Sequence, residues 1–220
     1  MKKHSLFTAA AGAAVAVAAA ALLVGCASLP SPAELDQQAA AMIKASFRDQ
    51  GIAKVDRIQQ DLGQSACSSD QAPSDAVAAR VQAEALATIK PPSDGRYIGD
   101  WRKGEALAQN GRGMTWTDNG TEPSGNGAQC YNCHQIDKKE ISHGTIGPSL
   151  WNYGKQRGVK DPADPVSAGV VQYTWGKLWN SKAYVACSNM PRFGHAKLLD
   201  ENQIRDIMAL LLDPKSPVNQ

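Results

Sequence analysis

The stretch Cys130-Tyr131-Asn132-Cys133-His134 places two thiols and one imidazole within five residues. Thiols with two residues between them have three common uses. A redox pair needs a strand leading into a helix, and half of a zinc site needs a second Cys or His pair. The chain shows neither a useful alternating strand pattern nor a second pair of ligands. The third use needs a His directly after the second thiol, and His134 stands there. Two thiols at this spacing add to the two vinyl groups of one haem, and the adjacent His is held under the iron as its proximal ligand. A single motif implies one covalently bound haem c, attached at Cys130 and Cys133 with His134 on the metal.

Working outward, a Gly-rich loop from 111 to 129 precedes the motif, and GDWRKGEALAQNG before it reads as a helix starting at Asp100 and stopping at Gly111. Downstream, YTWGKLWNSKAY puts Trp175 and Trp179 four residues apart on one helical face. The last helix carries a box-like cap, Asp200 with Gln203. Its apolar Ile204, Ile207, Met208, Leu211 and Leu212 recur at helical spacing before Asp213-Pro214. Upstream of the linker Pro91-Pro92-Ser93-Asp94-Gly95, three more helical runs are expected. The first opens at Ser31 with Pro32 and Glu34 and ends before Gly51; the second is AKVDRIQQDL, stopping near Gly63; the third is SDAVAARVQAEALATIK, bounded by Ser74 and Pro91. The expected fold class is all-α, with residues 26–95 a helical N-terminal extension and linker, and 96–220 the haem-bearing domain.

Residues 1–25 read as a signal peptide, a short basic start followed by an Ala-rich apolar run. The run ends Leu23-Val24-Gly25-Cys26, which resembles the lipoprotein cleavage box, in which the Cys takes the lipid and becomes the new N-terminus. Ordinary secretory cleavage just beyond, discarding Cys26, is the other reading. Either places the mature chain outside the cytoplasm, and the first makes it periplasmic and lipid-anchored. With Lys2 and Lys3 set aside, 21 Lys and Arg side chains face 21 Asp and Glu, so no global field draws the chain to nucleic acid. Of five cysteines, Cys26 is assigned to lipid and Cys130 and Cys133 to haem. Free thiols tend not to persist in an oxidising compartment, which leaves Cys67 and Cys187 to pair, within the chain or between subunits.

The sixth position on the iron has six candidates: Met114, Met190, Met208, His143, His195 and Cys187. Met208 belongs to the apolar face of the last helix. His143 lies nine residues past His134 and would have to cross the ring plane, and Met114 sits in the loop before the motif. Met190, 56 residues after His134 in CSNMPRFG, is followed by Pro191, which stiffens the loop presenting it. A thioether across from imidazole raises the haem potential and fills the site, which suits electron transfer. Cys187 as ligand is the alternative and would give a much lower potential.

The segment GTIGPSLW, residues 144–151, resembles the one that follows the haem motif in class I cytochromes c. There a Pro carbonyl accepts the proximal His proton, a part that Pro148 would play for His134. Together with NMPRFG and LLLDPKSPVN, the longer GTIGPSLWNYGKQRG is similar to SoxX, the monohaem cytochrome subunit of the SoxAX complex of thiosulfate oxidation. The resemblance spans roughly residues 96–220 and implies a class I cytochrome c domain. It also implies a SoxA-type partner, whose Cys-ligated haem is where thiosulfate is joined oxidatively to a cysteine of a SoxYZ-type carrier. The chain would accept those electrons and pass them to a small soluble cytochrome c, as the non-catalytic subunit of a heterodimeric L-cysteine S-thiosulfotransferase. Two other readings stay open: a general lipid-anchored monohaem carrier without a dedicated catalytic partner, and an enzyme with an open or Cys-ligated haem. Trp151, Tyr153, Trp175 and Trp179 are candidate pocket walls or partner-facing aromatics, and Arg157 and Arg192 candidate partners for haem propionates.

Overall fold

Seven α-helices, several single 3₁₀ turns and no strand ladder make up the described part of the chain, which is all-α. The computed structural model describes residues 29–51, 53–118, 120 and 123–220. The signal peptide and Cys26 lie outside the described residues. Among those described, no helix is long and apolar enough to cross a membrane.

The described residues fall into two units, one ending at Phe47 and one running Arg48–Gln220. In the first, α1 (Pro32–Ser46) starts at a reciprocal box in which Ser31 and Glu34 satisfy each other's backbone N–H, and it buries none of its residues.

The second unit begins differently from the expected helix over 53–62. Gln50 and Ala53 exchange backbone hydrogen bonds, the Asp49 carboxylate accepts the Val55 N–H at 2.8 Å, and only a 3₁₀ turn forms at Val55–Ile58. The helix α2 (Leu62–Cys67) starts instead at Asp61, which caps it reciprocally with Gln64. Gly63, read from the sequence as a stop, is buried inside α2 against Val81 and Lys182. The next helix, α3 (Asp75–Leu86), is capped by Ser74 as its sequence predicts.

Two long-separated helices form the frame: α4 (Trp101–Gln109), started by Asp100, and α7 (Glu201–Leu212), started by the Asp200–Gln203 box. They meet at Gly104, where a Cβ would lie 2.1 Å from the Asp206 carbonyl oxygen. Only hydrogen on that carbon lets the backbones approach so closely. The apolar face of α7 is buried, with Ile204, Ile207, Met208 and Leu212 each at most 1% exposed. Each such side chain contributes about 1.5–3 kcal/mol by leaving water. Between the frame helices come the short α5 (Tyr153–Gln156) and α6 (Ala168–Trp179), which begins five residues before the aromatic run Tyr173–Trp179. In the core, Trp175 stacks on Trp179 at 5.8 Å and meets Tyr97 edge-on at 5.4 Å. Its indole N–H reaches the Lys90 carbonyl at 2.7 Å, tying the end of the α3 segment to the core.

The C-terminal Ser216-Pro217-Val218-Asn219 closes this frame. Asn219 donates to the Leu211 and Asp213 carbonyls, which α7 leaves open at its end, and accepts from the Gly154 and Lys155 N–H groups at the start of α5. One buried amide thus caps two helices.

Candidate functional site

The chain enters the Cys130–His134 stretch through Gln129, whose left-handed φ of 48° turns it into a 3₁₀ turn at Cys130–Asn132. The Cys130 carbonyl then accepts the N–H groups of both Cys133 and His134, at 3.1 and 2.9 Å. Both thiols remain free. Burial around the sulfur pushes the Cys130 thiol up to about 12, although the residue as a whole keeps some exposed surface, so it stays protonated near neutrality.

The segment 144–150 folds back along this turn. Gly144, Gly147 and Leu150 donate their N–H groups to the carbonyls of Tyr131, Cys133 and Gln135 at 2.7–2.8 Å. This register sets His134 Nδ1 2.7 Å from the Pro148 carbonyl oxygen, leaving Nε2 for other work. The imidazole lies directly on Gly147, where a Cβ would come within 2.1–2.7 Å of three ring atoms.

Cys130, Cys133, His134 and Pro148 all line a solvent-open cavity of about 340 Å³, and so does Met190. Of the six sixth-ligand candidates, Met190 is the one on that wall. Met208 is buried in α7, and Cys187 is bonded to Cys67 with Cα atoms 5.4 Å apart. His143 turns Nδ1 toward the Gly144 carbonyl, His195 is exposed, and Met114 sits at a left-handed φ of 61° in the loop before the motif.

The remaining wall is largely apolar, built from Leu178, Phe193, Ile207, Leu210 and Leu211. Tyr153 also lines it. The Thr174 hydroxyl is committed to the Val170 carbonyl, so the Tyr153 O–H donates to it at 2.9 Å. The lining carries two cations, Arg157 and Lys177, and no carboxylate. Burial depresses the Lys177 amine, whereas Arg157 stacks on the Tyr153 ring at 3.7 Å. Arg192, the other candidate partner for propionates, pairs with Asp61 at 2.5 Å instead. The buried Trp179 indole N–H has no hydrogen-bond partner in the protein.

These residues fit a covalently held haem. The two free thiols, the imidazole with one nitrogen already engaged, a thioether, apolar walls and two cations without a counter-carboxylate suit a flat apolar macrocycle bearing two carboxylates. Among the described residues, no group of three or more His, Cys, Asp or Glu gathers as a metal cluster. Sequence reasoning missed Gly147, Thr174, Lys177 and Ser181, whose hydroxyl donates to the Met190 carbonyl at 2.7 Å. Of these only Gly147 carries a signal, standing directly before Pro148 in the GTIGPSLW segment.

Over the described residues, fold and site together define an all-α protein with a Cys67–Cys187 disulfide and a cavity that gathers thiol, imidazole and thioether. The chain belongs to the same family as a protein of Aquifex aeolicus (strain VF5) named "Uncharacterized lipoprotein", to which it is 41% identical over 165 residues, 73% of each chain. No protein-family model matches it.

Proposed function

We propose that this protein is a monohaem c electron carrier that serves as the electron-accepting subunit of a SoxAX-type complex. The observation that carries the haem reading is the convergence of Cys130, Cys133, His134 and Met190 on one cavity, with Pro148 orienting the imidazole. A haem bound there would supply one-electron redox chemistry. Cys130 and Cys133 would hold it by thioether bonds, and His134 and Met190 would ligate the iron. Pro148 keeps the proton on Nδ1 and so leaves Nε2 as the ligating nitrogen. The domain would then be a class I cytochrome c. With His134 and Met190 both committed to the iron, the site would favour electron passage over substrate binding. The sulfur chemistry would fall to a SoxA-type cytochrome acting on a SoxYZ-type carrier, with a small soluble cytochrome c downstream. The segments around 144–158, 189–194 and 210–219 support this assignment by their resemblance to SoxX.

The relative's name supports a lipid anchor, which would be attached at Cys26 and would hold the protein in the periplasm. Visible spectroscopy of the purified protein tests the haem: the bands of haem c should stay with the denatured polypeptide. The weak long-wavelength band of ferric His/Met haem should vanish in Met190→Ala, and its persistence there would refute Met190. Affinity purification tests the partnership. A second haem protein should co-elute, and isolation as a lone monomer from thiosulfate-grown cells would favour the general carrier.

A further inference from the structure

The loop that brings Met190 to the cavity has little structure of its own. Ser188 to Arg192 form neither helix nor ladder, and the Met190 N–H finds only the Ser188 hydroxyl, at 3.3 Å. The loop is instead held from outside on both sides of Met190. Three residues before it, Cys187 is bonded to Cys67; two residues after it, Arg192 is paired with Asp61 at 2.5 Å. Asp61 and Cys67 are the N-cap and the last residue of the same helix, α2. One short helix therefore grips the loop at both flanks.

The helix is itself fixed to the core side of the loop. Lys182 reaches the Gly63 carbonyl at 3.4 Å and the Ala186 carbonyl at 3.0 Å, and a Cβ on Gly63 would lie 3.2 Å from both Val81 of α3 and the Lys182 stem. Behind it, Gln82 donates to the Tyr184 carbonyl and Asn180 donates to Thr88, at 3.3 and 2.9 Å. From the core side, Ser181 fixes the Met190 carbonyl at 2.7 Å.

We propose that α2 is a positioning element for the Met190 thioether: the Cys67–Cys187 bond and the Asp61–Arg192 pair hold the ligand loop in register, with Ser181 as the third point. This rests on the haem reading above and adds a purpose to the segment before residue 91. A side chain that binds a metal from a short loop is displaced by competing ligands in proportion to how often the loop opens. Clamping both flanks lowers the open population without touching the metal.

The test uses the ferric holoprotein and follows the pH at which the Met-ligation band is lost, in three variants. Cys67→Ser/Cys187→Ser removes the covalent grip. Asp61→Asn keeps an equally good N-cap and deletes the charge. Ser181→Ala removes the third point, with Ser181→Thr as rescue. Each of the first three should lower the midpoint by about one pH unit, tenfold in the exchange equilibrium, with Ser181→Thr near wild type. Hydrogen exchange should show the amides of residues 187–190 and of Arg192 opening about tenfold more often, while α7 stays protected. A wild-type holoprotein without the band overturns the ligand reading and this proposal with it. A wild-type band whose midpoint stays unchanged in the Cys67→Ser/Cys187→Ser and Asp61→Asn variants overturns the proposal alone.

Discussion

Gly147 illustrates how little room a single residue leaves. Because a Cβ there would fall on the His134 ring, Gly147→Ala forces the imidazole off the Pro148 carbonyl or the backbone off Cys133. Overpacking of this kind costs about 1–3 kcal/mol, and urea unfolding should register the loss, whereas Gly158→Ala, where nothing lies within 4 Å, should show only the smaller strain of its left-handed φ of 72°. Asp61 is a second such residue, governed by charge. Burial alone would raise its carboxyl, but the Gln64 amide and the Arg192 guanidinium outweigh burial and hold it below the usual range. A depressed folded value stabilises the protein above the unfolded value of about 4 and loses that contribution as pH falls through the folded value. Comparing urea midpoints at neutral pH and near pH 3 should therefore show a smaller acid loss in Asp61→Asn than in wild type, and an equal loss would assign acid sensitivity elsewhere.

At the scale of elements, the joints matter more than the rods. Asn219 satisfies two carbonyls of α7 and two N–H groups of α5 from one buried side chain. Asn219→Ala removes all four bonds and strands the Leu211 carbonyl and the Gly154 and Lys155 N–H groups, the Asp213 carbonyl keeping the Ser216 N–H; a loss of about 3 kcal/mol is expected in urea unfolding, with Asn219→Asp retaining the acceptor half. Such joints divide what the sequence reveals from what it hides. The caps at Ser31, Ser74, Asp100 and Asp200 are legible because a cap and its helix are neighbours in sequence. The Asp61–Gln64 box was equally legible, yet the apolar rhythm of residues 53–62 masked it, and a 3₁₀ turn stands where a helix was expected. The Cys130–His134 stretch is local chemistry and reads directly; Cys67 with Cys187 follows from counting. By contrast, Asp61 meets Arg192 across 131 positions and Trp175 meets Lys90 across 85, and no local pattern encodes either contact. The Gly104 crossing is hidden for the same reason, since glycine inside a helix normally weakens it and shows its use only when the second helix arrives.

For the whole molecule, the Cys67–Cys187 bond joins positions 120 residues apart. In the entropic model a closed loop of that size stabilises by about 5 kcal/mol, so the Cys67→Ser/Cys187→Ser protein should unfold at a clearly lower urea concentration, with a steeper dependence if its unfolded state expands. Thiol labelling of the denatured, unreduced protein should find neither Cys67 nor Cys187. The same connectivity also constrains how the molecule is made. With Cys26 given to the lipid, a chain emerging N-terminus first presents Cys67, then Cys130 and Cys133, and only then Cys187. An oxidant that joins cysteines in order of appearance would couple Cys67 to Cys130 and strand the motif in the wrong bond. Reaching the native pairing requires that Cys130 and Cys133 be occupied or kept reduced until Cys187 arrives, or that a mispaired bond be reshuffled by thiol exchange afterwards. Biogenesis of this protein is thus a problem of timing, set by two thiols lying between two others.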